Sequence, residues 1–99
     1  MATYFMLNSW TEQGAKNIKS MPARAKAGKK AVEAAGAKMK GIYLVMGLAH
    51  ADTIAIFDAP DDETAAKAAI SINSAGAVRT QTVRAFTEQE FQKIIASLR

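Results

Sequence analysis

The sequence predicts one α+β domain spanning residues 1–99: a four-stranded antiparallel sheet with its main helices on one face and a further helix at the C-terminus. Three observations predict it. Four short β-prone runs recur along the chain, at Tyr4–Leu7, Gly41–Met46, Thr53–Phe57 and Val78–Phe86. Segments with apolar residues at 3–4 spacing lie before the second run, before the fourth and after it. The stretch from Gly47 to Asp52 is too short for a helix, so the second and third runs form a hairpin.

The first strand is Tyr4-Phe5-Met6-Leu7. Ser9-Trp10-Thr11-Glu12 carries a capping-box pattern, an N-cap hydroxyl with a glutamate three residues on, so a helix is expected to begin near Trp10 or Thr11. Proline disfavours helical geometry in the residue before it, so Pro22 breaks or kinks this helix at Met21. The same proline suits the first turn of a second segment, where its missing N–H costs nothing. That segment is expected to reach about Ala35, with Gly36 as a left-handed C-cap. Ala25, Val32 and Ala35 make its apolar stripe, and Lys26, Lys29, Lys30 and Glu33 take other faces. Gly41–Met46 and Thr53–Phe57 are the second and third strands. Asp58-Ala59-Pro60-Asp61-Asp62-Glu63 starts a helix, with proline early and acids in the first turn, where the macrodipole favours negative charge. Ala65, Ala68, Ala69 and Ile72 form its buried stripe, and Asn73-Ser74-Ala75-Gly76 ends it. Val78–Phe86 is the fourth strand. Thr87-Glu88-Gln89-Glu90 is a second capping box, and Phe91, Ile94, Ile95 and Leu98 follow as the cleanest helical stripe in the chain.

The order β-α-β-β-α-β-α is that of the ferredoxin-like split βαβ with an added helix. Right-handed crossovers put both main helices on one side of the sheet. A sheet with one wet face alternates apolar and polar residues. Here the first three strands are apolar on both parities: Tyr4-Phe5-Met6-Leu7, Ile42-Tyr43-Leu44-Val45-Met46 and Ile54-Ala55-Ile56-Phe57. Each large side chain left in water forgoes about 1.5–3 kcal/mol of burial. A second copy packed face to face is the simplest cover, so the expected partner is the protein itself, as a homodimer or higher oligomer. The alternative is that the C-terminal helix folds over the open face.

The chain has 49% hydrophobic and 22% charged residues, the composition of a globular domain and not of a disordered one. It has no cysteine, which excludes disulfides, thiolate metal sites and a cysteine nucleophile. No apolar run approaches the ~20 residues of a membrane helix, and the N-terminus has no basic region before its short apolar stretch, so a cytoplasmic location with no membrane partner is expected. The net charge of +4 is uneven. Residues 1–50 hold eight Lys/Arg against two acids, and residues 51–99 five against seven.

Several stretches resemble the GYD-domain family. They are the opening Met1-Ala2-Thr3-Tyr4, Thr11–Lys19, Lys40-Gly41-Ile42-Tyr43, Asp58–Glu63 and Val78–Thr87. The resemblance covers nearly the whole chain. It implies a small bacterial or archaeal protein of the dimeric α/β-barrel group, and no settled biochemical function. At the position of the family's Gly-Tyr-Asp tripeptide this chain reads His50-Ala51-Asp52, so only the aspartate matches.

Candidate site residues are few. His50, the single histidine, lies two residues from Asp52, a carboxylate that can orient an imidazole. Dimeric barrels use strand-end histidines as haem ligands or bases, so by analogy of fold His50 and Asp52 are the candidate catalytic pair and haem an alternative cofactor. No cofactor is otherwise expected, and an exposed loop histidine is the plainer reading. Tyr4, Trp10, Tyr43 and Arg84 are candidates for lining a small-molecule pocket, against ordinary core and interface aromatics. Asp58, Asp61, Asp62 and Glu63 fit helix capping better than a cation site, and no metal centre is expected. Lys26, Lys29 and Lys30, in the basic segment 16–40, are candidate phosphate contacts. No aromatic residue interleaves them between Trp10 and Tyr43, so a nucleic-acid partner is not expected. The function expected is that of a small oligomeric binding or structural module, with a possible pocket at the sheet or dimer interface. The alternatives are a dimeric-barrel enzyme of monooxygenase or isomerase type using His50 and Asp52, and a nucleic-acid binder acting through residues 16–40.

Overall fold

A computed structural model describes residues 1–99. The elements are β1 (Ala2–Trp10), α1 (Glu12–Lys16), a 3-10 turn (Ile18–Ser20), α2 (Met21–Ala34), β2 (Lys38–Leu44), β3 (Thr53–Ala59), α3 (Asp62–Ser74), β4 (Val78–Ala85) and α4 (Glu88–Ala96). The strands form one open antiparallel sheet in the order β2-β3-β1-β4. This is the α+β architecture and strand arrangement expected from the element order.

Local signals set most boundaries. Pro22 sits in the first turn of α2, and Gly36 ends that helix with φ 102°, a left-handed conformation that disfavours any side chain. Several boundaries differ from expectation: β1 is longer than its apolar run, α1 ends at Lys16 before a 3-10 turn, and β2 ends at Leu44 rather than Met46. Two further differences have clear causes. The N-cap of α1 is Thr11, not Ser9: the Thr11 hydroxyl accepts the Gly14 amide at 3.1 Å, while the Ser9 hydroxyl donates to the His50 carbonyl. Strand β2 starts at Lys38, earlier than its apolar run, because Lys38 and Met39 pair with Asp58 and Phe57 across a bulge before Gly41.

Burial alternates over residues 3–9 of β1 and along all of β3. Tyr4, Met6, Ala55 and Phe57 face the helices and are buried with Val32 of α2 and Ala65 and Ala68 of α3. The other parity, Phe5, Leu7, Ile54 and Ile56, is only half-buried, and Val83 and Tyr43 beside it are exposed. Both faces are therefore apolar, and helices cover one. Helix α4 does not fold over the second: no strand or helix packs substantially on it, and Phe91, Ile94, Ile95 and Leu98 are 42–68% exposed. The Cα radius of gyration is 14.5 Å, above the ~13 Å of a compact chain of about this length.

Carboxylates hold two helix starts. Asp61 accepts the Thr64 amide at 2.8 Å, and Glu90 accepts the Thr87 amide at 2.9 Å within a complete capping box. These amide hydrogen bonds are the main reason both carboxyls titrate below their ordinary values. A carboxyl with a depressed folded pKa stabilises above its unfolded pKa, and that contribution is lost as pH falls through the folded value. Below about pH 4, hydrogen-exchange protection is expected to drop at the Thr64 and Thr87 amides, which the two carboxylates accept, before it drops in the sheet. Protection at those two amides that is lost no earlier than the sheet's as pH falls would contradict the caps.

Candidate functional site

On the helix-covered face, the residues that α2 presents to the sheet are too small to reach it everywhere. Ala25, Gly28 and Ala31 stand over a cleft of about 520 Å³ between α2, α3 and the sheet. Met6, Met39, Ile42 and Ile72 form apolar walls, and Ala55 forms part of the floor. This volume lies in the range of about 300–1,000 Å³ typical of small-molecule sites.

Asn8 and Thr53 also line the cleft, both buried. They are cross-strand partners, and Asn8 pairs on its other side with Thr80. The Asn8 side-chain N–H donates to the Thr53 hydroxyl at 3.2 Å and to the Met6 carbonyl at 3.4 Å. Its side-chain carbonyl is buried without a partner, as is the Thr80 hydroxyl.

Gln13, Asn17, Ser20 and Arg24 bring a polar cluster to the lining. Arg24 is half-buried and tied to its neighbours: Nη1 donates to the Asn17 carbonyl at 3.0 Å, and Nη2 to the Gly14 carbonyl at 3.2 Å. Gly14 allows this corner to form, because it lies against the Ala77 carbonyl with no room for a Cβ.

Residues 4–95 match the sequence model of the GYD domain. The chain belongs to the GYD-domain family. This GYD domain is also similar to the crystal structure of TTHA0845 from Thermus thermophilus, with a TM-score of 0.57 and 25% identity over 88% of this chain and 95% of that one. No curated protein matches the chain.

Asp52, the position expected to match the family's aspartate, makes structural contacts. Its carboxylate accepts the Trp10 amide at 2.9 Å, its amide donates to the Asn8 carbonyl of the main chain at 2.7 Å, and its own carbonyl accepts the Val45 amide at 3.0 Å. Asp52 thereby closes the β2–β3 connection onto the end of β1. His50 lies exposed in that connection, makes no hydrogen bond to Asp52, and does not line the cleft.

None of Tyr4, Trp10, Tyr43 and Arg84 lines the cleft either. Tyr4 is a core residue stacked on Phe57, ring centroids 5.4 Å apart, with its hydroxyl donating to Asp62 at 2.5 Å. That bond to a carboxylate, aided by burial, pushes the phenol above its ordinary value. The structure brings Arg84 to Tyr4, but as a joint: its guanidinium lies over the rings of Tyr4 and Phe86 and pairs with Glu90 at 3.5 Å, linking β4 to α4. Trp10 is half-buried at the end of β1, and Tyr43 is exposed on the edge strand. Lys26, Lys29 and Lys30 are exposed on α2. The residues missed from sequence are Asn8, Thr53 and Arg24. The available signal was Asn8, a polar side chain on the same parity of β1 as Tyr4 and Met6.

Proposed function

We propose that this GYD domain is a ligand-binding module that works as a pair of copies and takes a small, mainly apolar organic molecule into the cleft. The cleft itself carries the reading: Met6, Met39, Ile42 and Ile72 wall it with apolar surface, and Asn8, Thr53 and Arg24 bring a few polar groups to its lining, the make-up of a small-molecule site. The volume of about 520 Å³ suits a small organic molecule, for which sites of about 300–1,000 Å³ are typical.

Pairing is supported by the other face. Phe5, Leu7, Ile54 and Ile56 form a continuous apolar patch, and the carboxylate at its edge, Asp58, is paired with Lys40 at 3.6 Å. These four residues carry no charge of their own, and an apolar patch facing its own copy has the self-complementarity that an isologous contact needs. The reading gives His50 and Asp52 no chemical step, since Asp52 is engaged by the Trp10 amide and neither residue lines the cleft.

Filling the cleft tests the proposal. Ala31→Trp places an indole in the lining. The variant is expected to stay folded and to lose saturable binding of apolar hydroxy-esters, such as methyl hydroxynaphthoate or methyl hydroxydecanoate. Binding of these probes that survives Ala31→Trp, or no binding of any apolar probe by the unaltered chain, would overturn the reading.

A further inference from the structure

We infer that the molecule held in the cleft is an organic acid, its carboxylate set against Arg24 and its apolar body among Met6, Met39 and Ile72. The inference rests on the cleft being a ligand site and adds the ligand's charge.

Arg24 is the one charged residue in the cleft lining. Its fixed contacts are all neutral: the Asn17 carbonyl and Ser20 hydroxyl at Nη1, and the Gly14 carbonyl and Met21 sulfur at Nη2. These acceptors hold the guanidinium in place and leave its charge uncompensated. The two ion pairs in the chain lie elsewhere, at Lys40–Asp58 and Arg84–Glu90. Arg84 is the internal contrast, an arginine of the same chain that has its own carboxylate.

A half-buried cation without a counter-ion, held beside apolar walls, is a preorganised site for an anion with an apolar body. Hydrogen bonds to an ionised acceptor are roughly twice as strong as neutral ones, and the Nε–H remains to make one. The surroundings favour an anion's approach. Lys16, Lys19, Lys26, Lys29 and Lys30 are exposed on the same segment, where Glu12 and Glu33 are the acids. Such a field raises the local concentration of anions. The basic segment thereby gains a role that needs no nucleic acid.

The test titrates the full chain, by calorimetry at low ionic strength, with hydroxynaphthoate, hydroxydecanoate and their methyl esters, and with acetate and inorganic phosphate. Each acid keeps the apolar body and hydroxyl donor of its ester and differs in charge. At least one acid is expected to bind once per chain with a Kd about tenfold or more below that of its ester. The preference should vanish in Arg24→Gln and largely persist in Arg24→Lys. Acid and ester binding alike would overturn the charge assignment and leave the cleft reading standing. A preference undiminished in Arg24→Gln would overturn the role of Arg24, and acetate or phosphate binding as tightly as the acids would overturn the requirement for an apolar body. No binding of either pair would sink both this inference and the reading beneath it. Arg24 also ties the chain at Gly14 and Asn17; the acid–ester comparison uses the unaltered chain and stands even if Arg24→Gln does not fold.

Discussion

Phe57→Ala is expected to lower stability by about 3–5 kcal/mol, the cost of emptying a fully buried aromatic position. Phe57 is completely buried on β3, stacked on Tyr4 with an interplanar angle of 17°. Its neighbours cannot fill the gap. Five of the nine residues of the buried core are alanines, and of the larger four only Phe57, Met6 and Val32 are fully buried. At roughly 4–8 °C per kcal/mol for a domain of about this size, the melting temperature should fall by at least about 12 °C. Phe57→Leu keeps most of the volume and should cost less than half as much. Urea denaturation of both variants checks the prediction, and a Phe57→Ala loss below about 1 kcal/mol would mean that the core lies elsewhere.

Gly14→Ala is expected to cost about 3 kcal/mol, the upper end for overpacking, although alanine is the better helix former. A Cβ on Gly14 would overlap the Ala77 carbonyl oxygen and lie 3.0 Å from its carbon, and both are backbone atoms. The clash cannot be relieved by a rotamer. It must push α1 off the start of β4, where Thr11 holds it through its amide to the Ala77 carbonyl at 3.1 Å and its hydroxyl to the Gly76 carbonyl at 2.7 Å. The Gly14 carbonyl that anchors Arg24 moves with it. Gly28→Ala is the control of opposite sign. Its Cβ meets only the flexible tip of Ile72 at 3.4 Å, so the variant should gain about 0.5–1 kcal/mol from helix propensity. Thermal melts of the pair decide the matter. Equal melting temperatures for the two variants would contradict the close approach.

These two residues also show where the sequence speaks and where it is silent. Helix starts and stops at Pro22, Gly36 and Thr87 are local chemistry, so they are legible in a few neighbouring residues. The Ser9 box misleads because its hydroxyl is taken by the His50 carbonyl, 41 residues away. Gly14 gives no local sign of its role, since the atom it must avoid belongs to Ala77. The cleft is hidden for a related reason. It is a volume left between α2 and the sheet by small residues, and spacing in sequence does not say how high a helix rides. Aromatic content pointed to Tyr4 as a pocket residue, but in a core built mostly of alanine it is drawn into packing with Phe57. The two-sided apolar character of β1 and β3 was legible, because strand periodicity assigns faces without knowledge of the fold.

In the proposed function one sheet serves two tasks, a cleft on its helix-covered face and a second copy on the other. Sedimentation equilibrium of the unaltered chain tests this most directly. A mass of twice the chain, or an even multiple of it, is expected at micromolar concentration, with Ile56→Lys shifting the protein toward a folded single chain. A folded, unassociated chain persisting at about 1 mM, where even a pair with a Kd of 1 mM would be substantially formed, would contradict the account.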